Sequence, residues 1–120
     1  MIIINQKIEA LNITITFYVG KDAKDNFAVI DKTMDLNPDN IWFHVEDKPS
    51  CHVVADIPLD LNLDKKELMY IVKQGAIVCK QCSKYKSEPN LSIVWTKIKN
   101  VYKTKVFGSV ATVDTKCVLV

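Results

Sequence analysis

Residues 41–54 read IWFHVEDKPSCHVV, and they hold both histidines of the chain, one of its two tryptophans and one of its four cysteines. Two runs of β-branched, aromatic and aliphatic residues flank a short charged segment containing a proline. That pattern reads as strand 41–46, turn 47–50 and strand 51–56, an antiparallel hairpin. A hairpin here argues against parallel βαβ units, because parallel neighbours need a crossover of a dozen residues or more.

Working outward, Ile13, Ile15, Phe17 and Val19 alternate with polar residues and line one face of a half-buried strand. Residues 2–8 are its expected hairpin partner. Gly20 ends that strand, and Asp22 caps a helix running to about Lys32, with Ala23, Phe27 and Ile30 as its apolar stripe. Asn37-Pro38-Asp39-Asn40 is a turn cluster. Asp64 and Glu67 form a capping box for a second helix, whose buried stripe is expected to run through Leu68, Ile71, Val72, Gly75, Cys79 and Cys82. Ser87-Glu88-Pro89-Asn90 breaks the chain, and short strands follow near 91–96, 98–103 and 116–120, with a Gly108 turn between the last two. Residues 1–120 therefore read as one α+β domain, a mostly antiparallel sheet built from hairpins with two main helices packed on it.

The composition bounds the function. The chain has 120 residues, 48% apolar and 25% charged, as in an ordinary globular domain. No apolar run approaches the ~20 residues of a membrane span, so no membrane partner is expected. The N-terminal Met-Ile-Ile-Ile lacks the features of a signal peptide, and four scattered cysteines make no disulfide framework. Both point to the cytoplasm. Charge is segregated: residues 1–63 carry five lysines against ten acids, and residues 64–120 carry eleven against four. Such a division suggests an anionic partner, although solvated lysines on an ordinary surface give the same count. All sixteen cations are lysine. Lysine meets phosphate as a point charge, without the bidentate fork that arginine brings to guanine, which argues against strict reading of duplex DNA. An A+T-rich genome, cellular or viral, also favours this bias.

Cys79 and Cys82 form a C-x-x-C, but no second pair completes a zinc site, and small thiols packing a helix on a sheet explain them as well. His52 adjoins Cys51, yet successive strand side chains point to opposite faces, so the two diverge. His44, His52 and Asp47 are the residues a nuclease or hydrolase would use. With three glycines in the chain, no phosphate-binding glycine loop exists. We expect no catalytic residue, no metal and no cofactor. WTKIKNVYKTK, residues 95–105, interleaves Trp95 and Tyr102 with Lys97, Lys99, Lys103 and Lys105. Lysines two apart on a strand share a face and can track a phosphate backbone, while an aromatic offers a stacking surface. Lys80 and Lys84 extend that expected patch.

Read in order, YVGKDAKDNFAVI, NPDNIWFHVEDKPSCHVV, QGAIVCKQCSK and WTKIKNVYKTKVFGSV resemble the successive blocks of the NFACT RNA-binding domain, over roughly residues 13–113. The resemblance implies a small standalone member that binds structured RNA, tRNA or ribosomal RNA, in connection with translation and ribosome quality control, with DNA as an alternative partner. It carries the family pattern onto Gly20, Lys21 and Asn26, onto Asp39, Trp42, Phe43, His44, Asp47, Pro49, His52 and Val53, and onto Ser83, Lys103 and Gly108. Of these, Lys21, Asn26, Asp39, Trp42, His44, Asp47 and His52 are the RNA-contacting residues it implies. Three departures stand out. Asn40 replaces the second of two acids, Ser50-Cys51 replaces a Gly-Ser turn, and Phe107 replaces a proline. Losing the turn glycine raises the question of a strained φ. The rival readings are the nuclease named above and a protein-interaction or DNA-binding module.

Overall fold

In a computed structural model that describes all 120 residues, the 41–54 stretch forms the centre of the molecule. Strands β1 (Ile2–Ile8), β2 (Ile13–Gly20), β3 (Ile41–Val45), β4 (His52–Asp56), β5 (Ser92–Lys97) and β8 (Lys116–Leu119) make one sheet in the order β1-β2-β4-β3-β5-β8. Every neighbouring pair is antiparallel. Helix α1 (Ala23–Leu36) follows β2, and α2 (Lys65–Gln81) follows β4. A separate ribbon pairs β6 (Val101–Lys103) with β7 (Val110–Thr112). The α+β class and the two expected hairpins are present.

Strand alternation decides which helix covers which face. Ile41, Phe43 and Val45 of β3, with Val53 and Ala55 of β4, join Ile71, Val72, Ala76 and Cys79 of α2 in the larger core. Trp42 and Val54 point the other way and join Val29 and Ile30 of α1 with Ile98 and Val101. The two helices therefore lie on opposite faces of the sheet. Phe43 is fully buried, a burial that contributes roughly 2–3 kcal/mol. A Cβ on Gly75 of α2 would overlap its ring, so the glycine sets how closely α2 lies on β3.

Capping follows the sequence. Asp22 accepts from the Asp25 N–H at 2.8 Å, and the Asp64–Glu67 box is complete. Other expectations need correction. Helix α1 runs to Leu36, and its buried residues are Asn26, Val29, Ile30 and Thr33. Ala23 and Phe27 are only half-buried and lie against the loop between β6 and β7, Ala23 next to Gly108 and Phe27 edge-on to Phe107. Cys82 lies at the C-cap of α2 and is exposed, outside the buried stripe. The expected strand 98–103 is interrupted by a 3-10 turn at Ile98–Asn100, and β7 is an element the alternation did not show.

The turn cluster 37–40 ties three elements together. Asn40 is fully buried. Its carboxamide donates to the Thr33 carbonyl of α1 at 3.0 Å and accepts from the Ile57 N–H beyond β4 at 2.7 Å. An ionised acid has no proton to give Thr33, which is the physical reason for an amide at this position. In the 46–51 turn the left-handed residue is Asp47, with φ of 56°. Ser50 is free of that strain, and its hydroxyl accepts from the Val45 N–H at 3.1 Å.

Candidate nucleic-acid interface

Trp42 and His44 on β3 and His52 on β4 share the α1 side of the sheet, at its uncovered end. The Trp42 indole N–H donates to His52 Nδ1 at 3.2 Å. Since an indole N–H can only donate, Nδ1 carries a lone pair and the remaining proton of the neutral ring sits on Nε2. His44 is the opposite tautomer: its Nδ1 lies 2.6 Å from the Val45 carbonyl, so Nδ1 holds the proton and Nε2 is a bare acceptor. His44 stacks parallel to Trp42, with centroids 5.7 Å apart, and meets His52 edge-on at 5.0 Å. Burial pushes the His52 imidazole down to about 3, helped by the nearby His44. Burial also lowers His44, partly offset by its bond to Val45. Both rings are neutral at physiological pH.

These side chains open on a hollow of about 430 Å³ that is also lined by Glu46, Asp47, Ser109, Val110, Thr112 and Thr115. No lysine lines it. Glu46 accepts from the Cys117 thiol at 3.0 Å and the Ser92 hydroxyl at 3.1 Å, which hold its carboxyl below the usual range. Asn26 is buried beneath the site, its carboxamide oxygen accepting from the His52 backbone N–H at 3.4 Å. The far wall is the β6–β7 loop. Gly108, at φ +83°, approaches Ala23 so closely that its Cβ would lie 2.5 Å from the alanine methyl. Phe107, the family-departing residue, packs edge-on to Phe27 at 5.2 Å.

The lysines fall into separate places. Lys97 joins Lys65, Lys66 and Lys116 around a groove of about 710 Å³, floored by Trp95 and Met69 and bordered by Asn100 and Asp114. Lys116 lies 5.5 Å from the centroid of the Trp95 ring. Lys97 and Lys99 both reach Asp39, at 3.5 and 3.0 Å. Chiefly through Lys99, they hold the Asp39 carboxyl below its usual value. Lys65, Lys66 and Lys116 make no ion pair. Lys80 and Lys84 sit at the other end of α2, roughly 25 Å away at 1.5 Å per residue. There Lys80 donates to the Val120 carbonyl at 2.9 Å, and Lys84 shares a hollow with Lys21, Cys51 and Cys82. Lys103, on the α1 side, pairs with Asp31 at 2.8 Å. Lys105 is exposed in the β6–β7 loop.

The expected residues thus divide. Trp42, His44, Asp47 and His52 come together in the histidine hollow, Lys97, Lys99 and Asp39 come together at one edge of the lysine groove, and Lys21 meets Lys84 at the opposite end of α2. Lys65, Lys66 and Lys116 were missed from sequence. Two lysines in the first turn of α2 oppose the helix dipole, and that was the available signal for them. Lys116, a single lysine with no other cation near it in the chain, offered none.

Comparison with known proteins fits this architecture. The model of the NFACT protein RNA binding domain matches residues 7–114. The chain belongs to that family. Among curated proteins it is similar to coiled-coil domain-containing protein 25 of Danio rerio, 34% identical over 94 residues, which cover 74% of this chain and 42% of that protein. The Mus musculus protein of the same name is 32% identical over 101 residues, covering 76% and 42% respectively. The chain thus spans about two fifths of the length of these relatives. A solved structure, the C-terminal part of the fibronectin/fibrinogen-binding protein from Streptococcus suis, shares the fold with a TM-score of 0.72 at 22% identity, over 88% of this chain and 41% of that one. As an NFACT RNA-binding domain, the chain is a nucleic-acid-binding module.

Proposed function

We propose that this domain binds structured RNA, tRNA or ribosomal RNA, without catalysis, laying the phosphate backbone along the Lys65–Lys66–Lys97–Lys116 groove. The observation that carries the reading is the groove's charge: four lysines face one acid, Asp114. Three of those lysines have no carboxylate partner, and first-turn lysines on α2 cost the helix stability rather than adding to it. Cytoplasmic action in translation or ribosome quality control is the setting this proposal carries. Cleavage by His44 and His52 would require one protonated imidazole as general acid and one neutral imidazole as base. Burial holds both neutral, and Trp42 occupies His52 Nδ1, so the geometry supports binding over cleavage. Filter binding of tRNA at 50 and 200 mM salt tests the proposal. Affinity should fall steeply with salt through counterion release. A flat response, or no binding at low salt, refutes it.

A further inference from the structure

We propose that the histidine hollow is a pocket for a single unpaired nucleobase whose exocyclic amino group sits beside an unprotonated ring nitrogen, adenine or cytosine, extruded from the RNA strand whose phosphates occupy the lysine groove. The inference rests on the RNA-binding reading and adds to it a base-selective contact that the lysines cannot provide.

The floor of the hollow has a fixed hydrogen-bonding character. No buried side-chain nitrogen or oxygen lacks a partner. His52 Nε2 and His44 Nε2 have none in the protein, so both reach the open space of the hollow. One is an N–H donor and the other a bare acceptor, fixed in those roles by Trp42 and by the Val45 carbonyl. A donor beside an acceptor can pair with the amino group and ring nitrogen of adenine or cytosine, and equally with the N3–H and carbonyl of uracil, so the histidines bind a base edge and the choice among bases falls to the rim. The rim adds charge. Glu46 and Asp47 line the hollow; carboxylates attract an amino group and repel both phosphate and the carbonyl edge of uracil. The volume, about 430 Å³, lies within the range of roughly 300–1,000 Å³ common for small-ligand sites.

The hollow also adjoins the lysine groove. Along the segment that leads from β7 into β8, Thr112 and Thr115 border the histidine hollow, while Asp114 and Lys116 border the lysine groove. The two sites lie on either side of one short turn, held by the Thr96 hydroxyl at 3.1 Å from the Val113 and Asp114 carbonyls. Five extended residues span at most about 17 Å, so one strand crossing the turn can place phosphates on one side and a base on the other.

Fluorescence anisotropy with labelled hexauridylate, and with the same hexamer carrying one central adenosine or cytidine, tests this at constant phosphate charge. The adenosine and cytidine hexamers should bind about tenfold more tightly than hexauridylate. His44→Phe keeps the stack on Trp42 and removes the acceptor, and Glu46→Gln removes a rim charge without touching the core. Either should bring the three affinities together while leaving the salt slope unchanged. Equal affinities in the wild type overturn the pocket, as does an equal loss for all three hexamers in both variants. If tRNA binds with its salt dependence and the hexamers show no base preference, the pocket fails alone. If tRNA does not bind, the RNA-binding reading fails with it.

Discussion

Replacing Lys65, Lys66, Lys97 and Lys116 with glutamine removes the groove's positive charge, and its effect on tRNA binding can be worked out from the structure. Lys97 already shares Asp39 with Lys99, at 3.5 and 3.0 Å, so it contributes a fraction of a phosphate contact. The other three have no partner and count fully. Each neutralised phosphate adds about 0.7 to the salt slope on single strands and about 0.9 on duplex. Three such contacts lower the slope by about 2 to 2.7. Over a fourfold salt increase from 50 to 200 mM, the wild type should lose about 20- to 40-fold more affinity than the variant. Misfolding is a poor alternative cause, because the side chains are exposed and removing two cations from the first turn of α2 relieves their conflict with the dipole. Thermal melts should show no loss. A matched set at Lys80, Lys84, Lys103 and Lys105 should change the slope less, since Lys80 is engaged with Val120 and Lys103 with Asp31. The reasoning is refuted if the first set leaves the slope unaltered, or if the second set lowers it more.

Gly75→Ala drives a methyl into the Phe43 ring and should cost about 1–3 kcal/mol by overpacking, read from the urea midpoint; an unchanged midpoint would show that α2 shifts freely on β3. Asn40→Ala leaves the Ile57 N–H buried without its partner, while the Thr33 carbonyl keeps the Asn37 N–H at 3.1 Å, and should cost about 1–3 kcal/mol in urea unfolding for the one orphaned group. His52 is buried neutral among Trp42, His44 and Asn26, with Glu46 and Asp47 the acids on the same hollow. Its depressed value means that the unfolded state takes up a proton first, so the contribution of the neutral ring is full above pH 6.5 and is lost as pH falls from there towards about 3. The slope approaches about 1.4 kcal/mol per pH unit from this group, and urea unfolding of His52→Gln between pH 4 and 7 should be flatter than wild type by that amount.

What was legible in the sequence was whatever local chemistry decides. Alternation in 13–19 and 41–54 gave the hairpins, and Asp22 and Asp64 marked both helix starts. What was not legible depends on distant partners. Lys97, Lys99, Lys103 and Lys105 look like one strand face, but Ile98 turns inward to meet Trp42 and Val29, and the 3-10 turn this produces sends Lys97 to the groove and Lys103 to α1. The α1 stripe is centred elsewhere for a related reason: Phe27 lies at the margin of the α1-side core, where it also meets Phe107, eighty residues on. Cys82 follows the helical period of Cys79 but falls where the helix ends, past the edge that would have buried it. The histidines were visible as a pair from the hairpin alone, but their complementary tautomers depend on Trp42 and on a backbone carbonyl.

On the proposed reading, RNA lies over the end of the sheet where α2 begins. Backbone amide chemical-shift mapping with tRNA at low salt tests it most directly. The largest changes should fall at Lys65 and Lys66, at Lys97, and along Asp114–Lys116. Changes centred instead on Lys80, Lys84 and Lys21, at the far end of α2, would contradict it.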